Sequence, residues 1–120
     1  MTTEQFLSAN FKNEAQFTAA THKWINHNYP WLRHFYFHVP NESASSDAMR
    51  IKLSSMGVLP GVPDFLFVKP FFFALELKMP LGVLSAKQKS LIELWRTSGI
   101  PVGVCRTASE VVEFMESVKE

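Results

Sequence analysis

Residues 57–78 have the sequence Gly57-Val-Leu-Pro-Gly-Val-Pro-Asp64-Phe-Leu-Phe-Val-Lys69-Pro70-Phe-Phe-Phe-Ala-Leu-Glu76-Leu-Lys78. Two apolar, aromatic-rich runs meet at Lys69-Pro70, a pattern that predicts two strands joined by a tight connection. Because side chains alternate along a strand, Glu76 and Lys78 are expected on the face opposite Leu75 and Leu77. Asp64 stands at the start of the first strand, where the register of the pair brings it beside Glu76.

Two carboxylates and an ammonium group on paired strands suit metal chemistry. Hard oxygen ligands on a rigid sheet hold Mg²⁺ while leaving several water positions open. The alternative is a cross-strand ion pair of Lys78 with Asp64 or Glu76 on a solvated face, which is common for an isolated Glu-x-Lys. The Pro63-Asp64 pair, which ends twelve residues before Glu76, favours the metal site here.

This arrangement resembles the PD-(D/E)xK nuclease superfamily, and its surroundings are similar to the VRR-NUC branch. The matching positions are Glu14, Pro40-Asn41-Glu42, Met56-Gly57, Pro60-Gly61-Val62-Pro63-Asp64, Glu76-Leu77-Lys78, Gly82-Val83-Leu84-Ser85, Gln88 and Gly99-Ile100-Pro101-Val102. The resemblance runs from about Glu14 to Arg106. A bare Pro-Asp and Glu-x-Lys set is weakly specific, but the ordered series is much stronger.

The resemblance implies an α/β fold with a restriction-endonuclease-like core, in which a mixed central β-sheet is flanked by helices. It also implies a DNA nuclease that uses Mg²⁺ or Mn²⁺. Asp64 and Glu76 would hold the metal, with the Leu77 carbonyl and Glu14 as further ligands. Lys78 would position or activate the attacking water, and Gln88 would contact water or phosphate.

Two of these residues have a structural alternative. Glu14 begins a predicted helix, where a carboxylate also interacts favourably with the positive end of the helix dipole. Gln88 stands three residues after Ser85, so that its side chain can close a capping box on the Ser85 amide. The sequence leaves both pairs of roles open.

Basic residues cluster locally, although the net charge is only +1. Lys87 and Lys89 lie in the first turns of the helix that begins after Ser85, where free amides also favour phosphate. Asn41, in the polar loop that follows Pro40, and His38, near the end of an earlier strand, are further candidates for nucleic-acid contact. Ordinary mixed surface charge explains the same counts equally well.

Length and composition limit the classes of protein to which the chain can belong. A chain of 120 residues, 47% of them hydrophobic, is predicted to fold as one domain over residues 1–120. No apolar run is long enough to span a membrane, and the first residues lack the pattern of a signal peptide. The single cysteine, Cys105, excludes an internal disulfide. These features favour a reducing cytosol, and the resemblance to stand-alone VRR-NUC proteins implies the cytoplasm of a bacterial cell or of a phage-infected host.

The remaining pattern predicts the element order α-β-α-β-β-α-β-α. A helix over Asn13 to about Asn28 turns Phe17, Ala20, Thr21, Trp24 and Ile25 inward. A strand is predicted over Leu32–Val39, a helix capped by Asp47, a strand over Pro101–Arg106 and a last helix opened by a Thr107–Glu110 capping box. His22 and His27 are expected on the solvated face of the first helix.

The substrate is harder to infer from the sequence than the chemistry. A small domain without a helix-turn-helix or zinc finger has little means of reading base sequence, which favours recognition of DNA shape. Stand-alone VRR-NUC proteins resemble junction-resolving enzymes, so we expect an endonuclease for Holliday junctions or other branched DNA, acting as a homodimer. Phe71, Phe72, Trp31 and Tyr36 are available either for a dimer interface or for the core. The alternatives are a catalytically inactive nuclease-fold module that binds DNA or protein, and a structural domain whose charges form ion pairs.

Overall fold

The computed structural model describes residues 1–40 and 46–119. Within these residues, the five α-helices are α1 (Thr3–Ser8), α2 (Glu14–Asn28), α3 (Asp47–Ser55), α4 (Ala86–Thr97) and α5 (Ala108–Val118). The four strands of the same described ranges are β1 (Tyr36–His38), β2 (Phe65–Phe67), β3 (Phe73–Leu77) and β4 (Val102–Cys105). A short 3₁₀ helix, Pro30–Leu32, follows α2. None of the helices in the described part of the chain is long and apolar enough to cross a membrane.

The strands form one mixed sheet in the order β1-β2-β3-β4. The first two pairings are antiparallel and the β3–β4 pairing is parallel. The predicted hairpin is therefore present as β2 and β3, joined through a cis Lys69-Pro70 bond. Since β3 is an inner strand with cover on both faces, all five of its residues are buried.

Strand alternation divides the core in two. One face of β3 contributes Phe73, Leu75 and Leu77 to the larger core, which also contains buried residues of α1, α2 and α5. The other face places Ala74 in a smaller core with Ile92 and Val102. The sheet thus lies between helices, as the sequence predicts, and Glu76 continues the face that carries Ala74.

Each α-helix begins at a side-chain cap that satisfies one of its free amides. Thr2 and Ser85 form complete capping boxes with Gln5 and Gln88. The inward stripe predicted for α2 is confirmed, because its buried residues are Phe17, Ala20, Thr21, Trp24 and Ile25.

Three predictions about local structure were wrong. The strand predicted over Leu32–Val39 shrinks to Tyr36–His38, because Pro30 opens a 3₁₀ turn that buries Leu32. Ser46, rather than Asp47, caps α3 and accepts a hydrogen bond from the Met49 amide. At α5 the Thr107 hydroxyl accepts the Glu110 amide, but the Glu110 carboxylate accepts the Arg106 amide and so leaves the box incomplete.

Gly103 lets α5 approach the sheet closely. A Cβ atom at this position of β4 would lie 2.6 Å from Cγ of the Phe114 ring.

We predict that Gly103→Ala lowers the free energy of unfolding by about 1–3 kcal/mol through overpacking, measured by urea denaturation. The double variant Gly103→Ala/Phe114→Leu should recover part of the loss. A double variant no more stable than Gly103→Ala would show that the ring is not the obstacle.

Candidate active site

The site is built on the paired ends of β2 and β3. Phe65 is opposite Leu75 in the antiparallel register, so the preceding Asp64 stands opposite Glu76, as the sequence predicts. Asp64 is 8% exposed and Glu76 1% exposed. The Leu77 amide donates a 2.7 Å hydrogen bond to Oδ2 of Asp64, and this bond fixes one carboxylate against the strand that carries the other.

Glu14 completes a group of three carboxylates. It occupies the first turn of α2, directly after the cap Asn13, so it lies near the positive end of the helix dipole. One carboxylate oxygen each from Glu14, Asp64 and Glu76 lie within 4.8 Å of one another. Glu14 therefore lies both at the start of α2 and beside the two buried acids. Its interaction with the helix dipole and its predicted role as a metal ligand are compatible.

Burial and mutual repulsion shift the titration of the two buried acids. Removal from water, followed by the charge of Asp64, raises the pKa of Glu76 to about 8. Burial also raises the pKa of Asp64, although the Leu77 amide and the neighbouring charges of His38 and Lys78 oppose this shift. Without a cation, the pair therefore retains a proton at neutral pH.

The donor set fits a divalent metal ion. Among the described residues, no hydrogen-bond donor reaches the buried Oε1 of Glu76. A buried carboxylate oxygen without a partner costs roughly 1–3 kcal/mol or more, which a shared proton or a cation can offset. Three neighbouring carboxylates, one of them with an oxygen that no described residue satisfies, match the hard, oxygen-rich ligands of Mg²⁺ and Mn²⁺.

Lys78 lies on the same wall as the acids but forms no direct ion pair with Asp64 or Glu76 among the described residues. The simple cross-strand ion pair that the sequence allows is therefore not observed. The lysine is half-buried, and its charge lowers the pKa of both carboxyl groups from a distance. Its ammonium group remains available to a bound water or phosphate.

Gln88 joins the helix cap to the acidic group. Its Oε1 accepts a 2.8 Å hydrogen bond from the Ser85 amide, while the Ser85 hydroxyl accepts the Gln88 amide. Its Nε2 donates to Oε2 of Glu76 at 3.5 Å. One side chain thus fills the capping role and contacts Glu76, whereas its predicted contact with water or phosphate stays a prediction.

Gly61 sets the distance between the loop before Asp64 and the start of α4. Its φ of +83° is in the left-handed region, and an added Cβ would lie 2.9 Å from the Lys87 carbonyl carbon. A side chain at this position is therefore excluded both by the backbone conformation and by the neighbouring backbone. This close approach brings Gln88 to Glu76.

The four residues predicted to contact nucleic acid lie in different places. His38 and Lys87 line the same cleft as the carboxylates, and Nδ1 of His38 lies 2.9 Å from the Asp64 carbonyl oxygen. Lys89 is exposed on α4 outside the cleft lining. Asn41 lies outside the described residues. The carbonyl role of Leu77 stays a prediction, because the contact observed for this residue is made by its amide.

The cleft has a volume of about 1990 Å³ and includes residues that the sequence did not single out. Arg33 and Asn26 line it, and His22, expected only on a solvated face, lies 2.7 Å from the Tyr36 hydroxyl through Nδ1. Helical periodicity predicts that His22 and Asn26 face outward from α2. It does not show that residues of β1 and α3 line the same cleft as this face of α2.

The buried acids should make stability depend on pH. In the metal-free protein the pKa of Glu76 is about 8 when folded, against an ordinary 4.5. At a pH between these two pKa values, the unfolded chain binds fewer protons than the folded protein. The free energy of unfolding should therefore fall as pH rises. We predict that the melting temperature in chelator falls between pH 5 and pH 8, and that Glu76→Gln flattens this dependence.

The exposed Glu93→Gln variant, which removes the same charge from α4, is the control and should keep the wild-type slope. Mn²⁺ should raise the melting temperature of the wild type more at pH 8 than at pH 5, because the ion competes with the proton. Equal slopes for Glu76→Gln and wild type would contradict the assignment.

Comparisons with known proteins agree with this geometry. The model of the VRR-NUC domain family matches residues 12–109. A solved structure described as a VRR_NUC domain protein aligns with a TM-score of 0.73 at 18% sequence identity, covering 91% of this chain and 89% of that chain. This likeness concerns the fold, and it confirms the predicted restriction-endonuclease-like class. A comparison with curated proteins gave no match. Because the family model covers most of the sequence, the chain belongs to the VRR-NUC family of nuclease domains.

Proposed function

We propose that the protein is a metal-dependent endonuclease that hydrolyses phosphodiester bonds in DNA. The observation that carries this proposal is that Glu14, Asp64 and Glu76 lie close together, and that no described residue donates a hydrogen bond to the buried Oε1 of Glu76. The set Asp64, Glu76, Lys78 is intact, and this argues against an inactive module that only binds DNA or protein.

Mg²⁺ or Mn²⁺ would be held by Asp64 and Glu76, with Glu14 and the Leu77 carbonyl as further ligands. Such an ion polarises a phosphate oxygen and lowers the pKa of a bound water. Lys78 orients or deprotonates the attacking water and offsets the negative charge that develops on the phosphate. Gln88 keeps the Glu76 carboxylate in position through its Nε2 contact.

The preferred substrate is proposed to be a Holliday junction or another branched DNA, cut by a homodimer with two sites. Trp31, Phe71 and Phe72 are 58%, 41% and 39% exposed, so they supply apolar surface for a subunit interface. Tyr36, the fourth aromatic considered for this role, is buried and belongs to the core. The proposed setting is the cytoplasm of a bacterial or phage-infected cell.

The test is to incubate the protein with a labelled four-way junction, a flap, a linear duplex and single-stranded DNA. Each reaction is run with Mg²⁺, with Mn²⁺ and with chelator. Paired, metal-dependent cuts confined to the junction would support the full proposal. Cuts in other DNA would retain the chemistry and exclude junction specificity, whereas DNA binding without any cleavage would favour the inactive module.

Lys78→Ala should reduce cleavage by about 10²–10⁴-fold, the usual contribution of a positioned proton-transfer group, with DNA binding in chelator nearly unchanged. Lys23→Ala removes a lysine from the exposed surface of α2 outside the cleft and serves as the matched control. Loss of the folded state in Lys78→Ala, seen by circular dichroism, would instead assign the lysine a structural role.

Gln88→Ala should reduce metal affinity or cleavage by roughly 10–100-fold, as expected for a residue that orients a metal ligand. Ser85→Ala is the matched control, because it breaks the same capping box but leaves the Gln88–Glu76 contact possible. Equal cleavage by the two variants at equal melting temperature would leave Gln88 only its capping role.

A further inference from the structure

The cleft is larger than the chemistry at its acidic end requires. Pockets for drug-sized ligands are typically about 300–1,000 Å³, and this cleft is about 1990 Å³. From the carboxylates it continues along α2, past Thr18, His22 and Asn26, to Arg33 and His34 after the 3₁₀ helix. We name His22, Asn26, Arg33 and His34, with the Tyr36 hydroxyl, the distal groove.

Acidic and basic side chains lie in different parts of this cleft. The acidic residues that line it in the described part of the chain are the three of the metal-binding group. The other charged lining residues are basic: Arg33, Arg50, Lys78 and Lys87. Lys78 and Lys87 belong to the acidic end, and Arg50 is already paired with Asp47. Among the described lining residues, a polyanion that extends beyond the metal-binding group therefore meets basic and not acidic side chains.

Arg33 is the arginine of the distal groove. Its side chain is exposed, and its guanidinium forms no hydrogen bond or ion pair with any described residue. The described residues therefore leave all five of its donors for a ligand, and the fork geometry of a guanidinium suits phosphate. Its backbone is fixed, because the Arg33 amide donates to the Pro30 carbonyl.

The wall beside Arg33 is a closed hydrogen-bond network. The Tyr36 hydroxyl donates to Oδ1 of Asn26 at 3.0 Å and lies 2.7 Å from Nδ1 of His22. Nδ2 of Asn26 lies 3.2 Å from Nε2 of His22. With the His22 proton on Nδ1, all three contacts are satisfied, and Asn26 keeps one N–H free. Tyr36 is anchored in the core by stacking on Phe67 at 4.9 Å, so this polar wall is rigid.

We propose that the distal groove binds the phosphate backbone of a duplex arm that flanks the scissile phosphate. The inference rests on the proposed nuclease function and adds a substrate contact that the catalytic group does not contain. Glu14 and Asn26 are twelve residues apart on α2, or about 18 Å at 1.5 Å per residue. At about 3.4 Å per base pair along a duplex, the contact lies roughly five base pairs from the cut.

The experiment compares Arg33→Ala with Lys23→Ala, which removes an equal charge from the same region outside the cleft. Affinity for a labelled duplex is measured in chelator by fluorescence polarisation over a range of salt concentrations. Arg33→Ala should weaken binding roughly tenfold, as expected for one charge-assisted contact. It should also reduce the slope of log K against log salt by about one. His34→Ala should give a second, smaller loss.

Cleavage locates the contact. After the cut position has been mapped with Mn²⁺, one arm is shortened until it ends two base pairs from the cut. Arg33→Ala should raise KM on the long-armed substrate, with kcat unchanged. On the substrate shortened on one side, variant and wild type should have the same KM. A KM defect that persists whichever arm is shortened would overturn the inference.

The two proposals fail in different ways. If Arg33→Ala and Lys23→Ala bind and cleave alike while wild type cuts DNA, the distal groove is refuted and the nuclease function stands. If no substrate is cleaved but Arg33→Ala alone loses affinity and salt dependence in chelator, the groove stands and the proposed catalysis fails.

Discussion

The structure depends on the burial of Asp64 and Glu76 side by side at the end of a two-strand pairing. Two carboxylates that are less than a tenth exposed repel each other and lose hydration, which raises the pKa of both. Two hydrogen bonds partly offset this cost: the Leu77 amide donates to Asp64, and the side-chain amide of Gln88 donates to Glu76. The Glu76 Oε1, to which no described residue donates, is the feature that best fits a cation.

The rest of the architecture holds these groups in position. The larger core fixes β2 and β3 through stacked aromatic rings, with Phe67 and Phe73 4.3 Å apart. Glu14 directly follows the cap of α2, and the capping box of α4 includes Gln88. Gly61 allows the loop and α4 to approach without a side chain between them. Stability and site geometry are thus coupled, because helix caps also position groups that face the acids.

Acidic and basic side chains occupy different parts of one cleft. The acids concentrate negative charge where a cation fits, and basic side chains line the cleft beyond them. With a metal ion bound, the acidic end would no longer repel phosphate. A domain with a net charge of only +1 can therefore bind DNA through local patches rather than through its overall charge.

The sequence by itself determined the hairpin, the buried stripe of α2, the Ser85 and Thr107 caps and the pairing of Asp64 with Glu76. These features depend on residues close in sequence, or on strand alternation, so local pattern predicts them. The strand predicted over Leu32–Val39 is shorter, Tyr36–His38, because Pro30 begins a 3₁₀ helix that ends at Leu32. Only the tertiary structure decided that Glu14 reaches the acids, that Gln88 fills two roles, and that His22, Asn26 and Arg33 border one cleft. These relations depend on how α2 and α4 lie against the sheet, and a helix crossing is set by packing between elements distant in sequence.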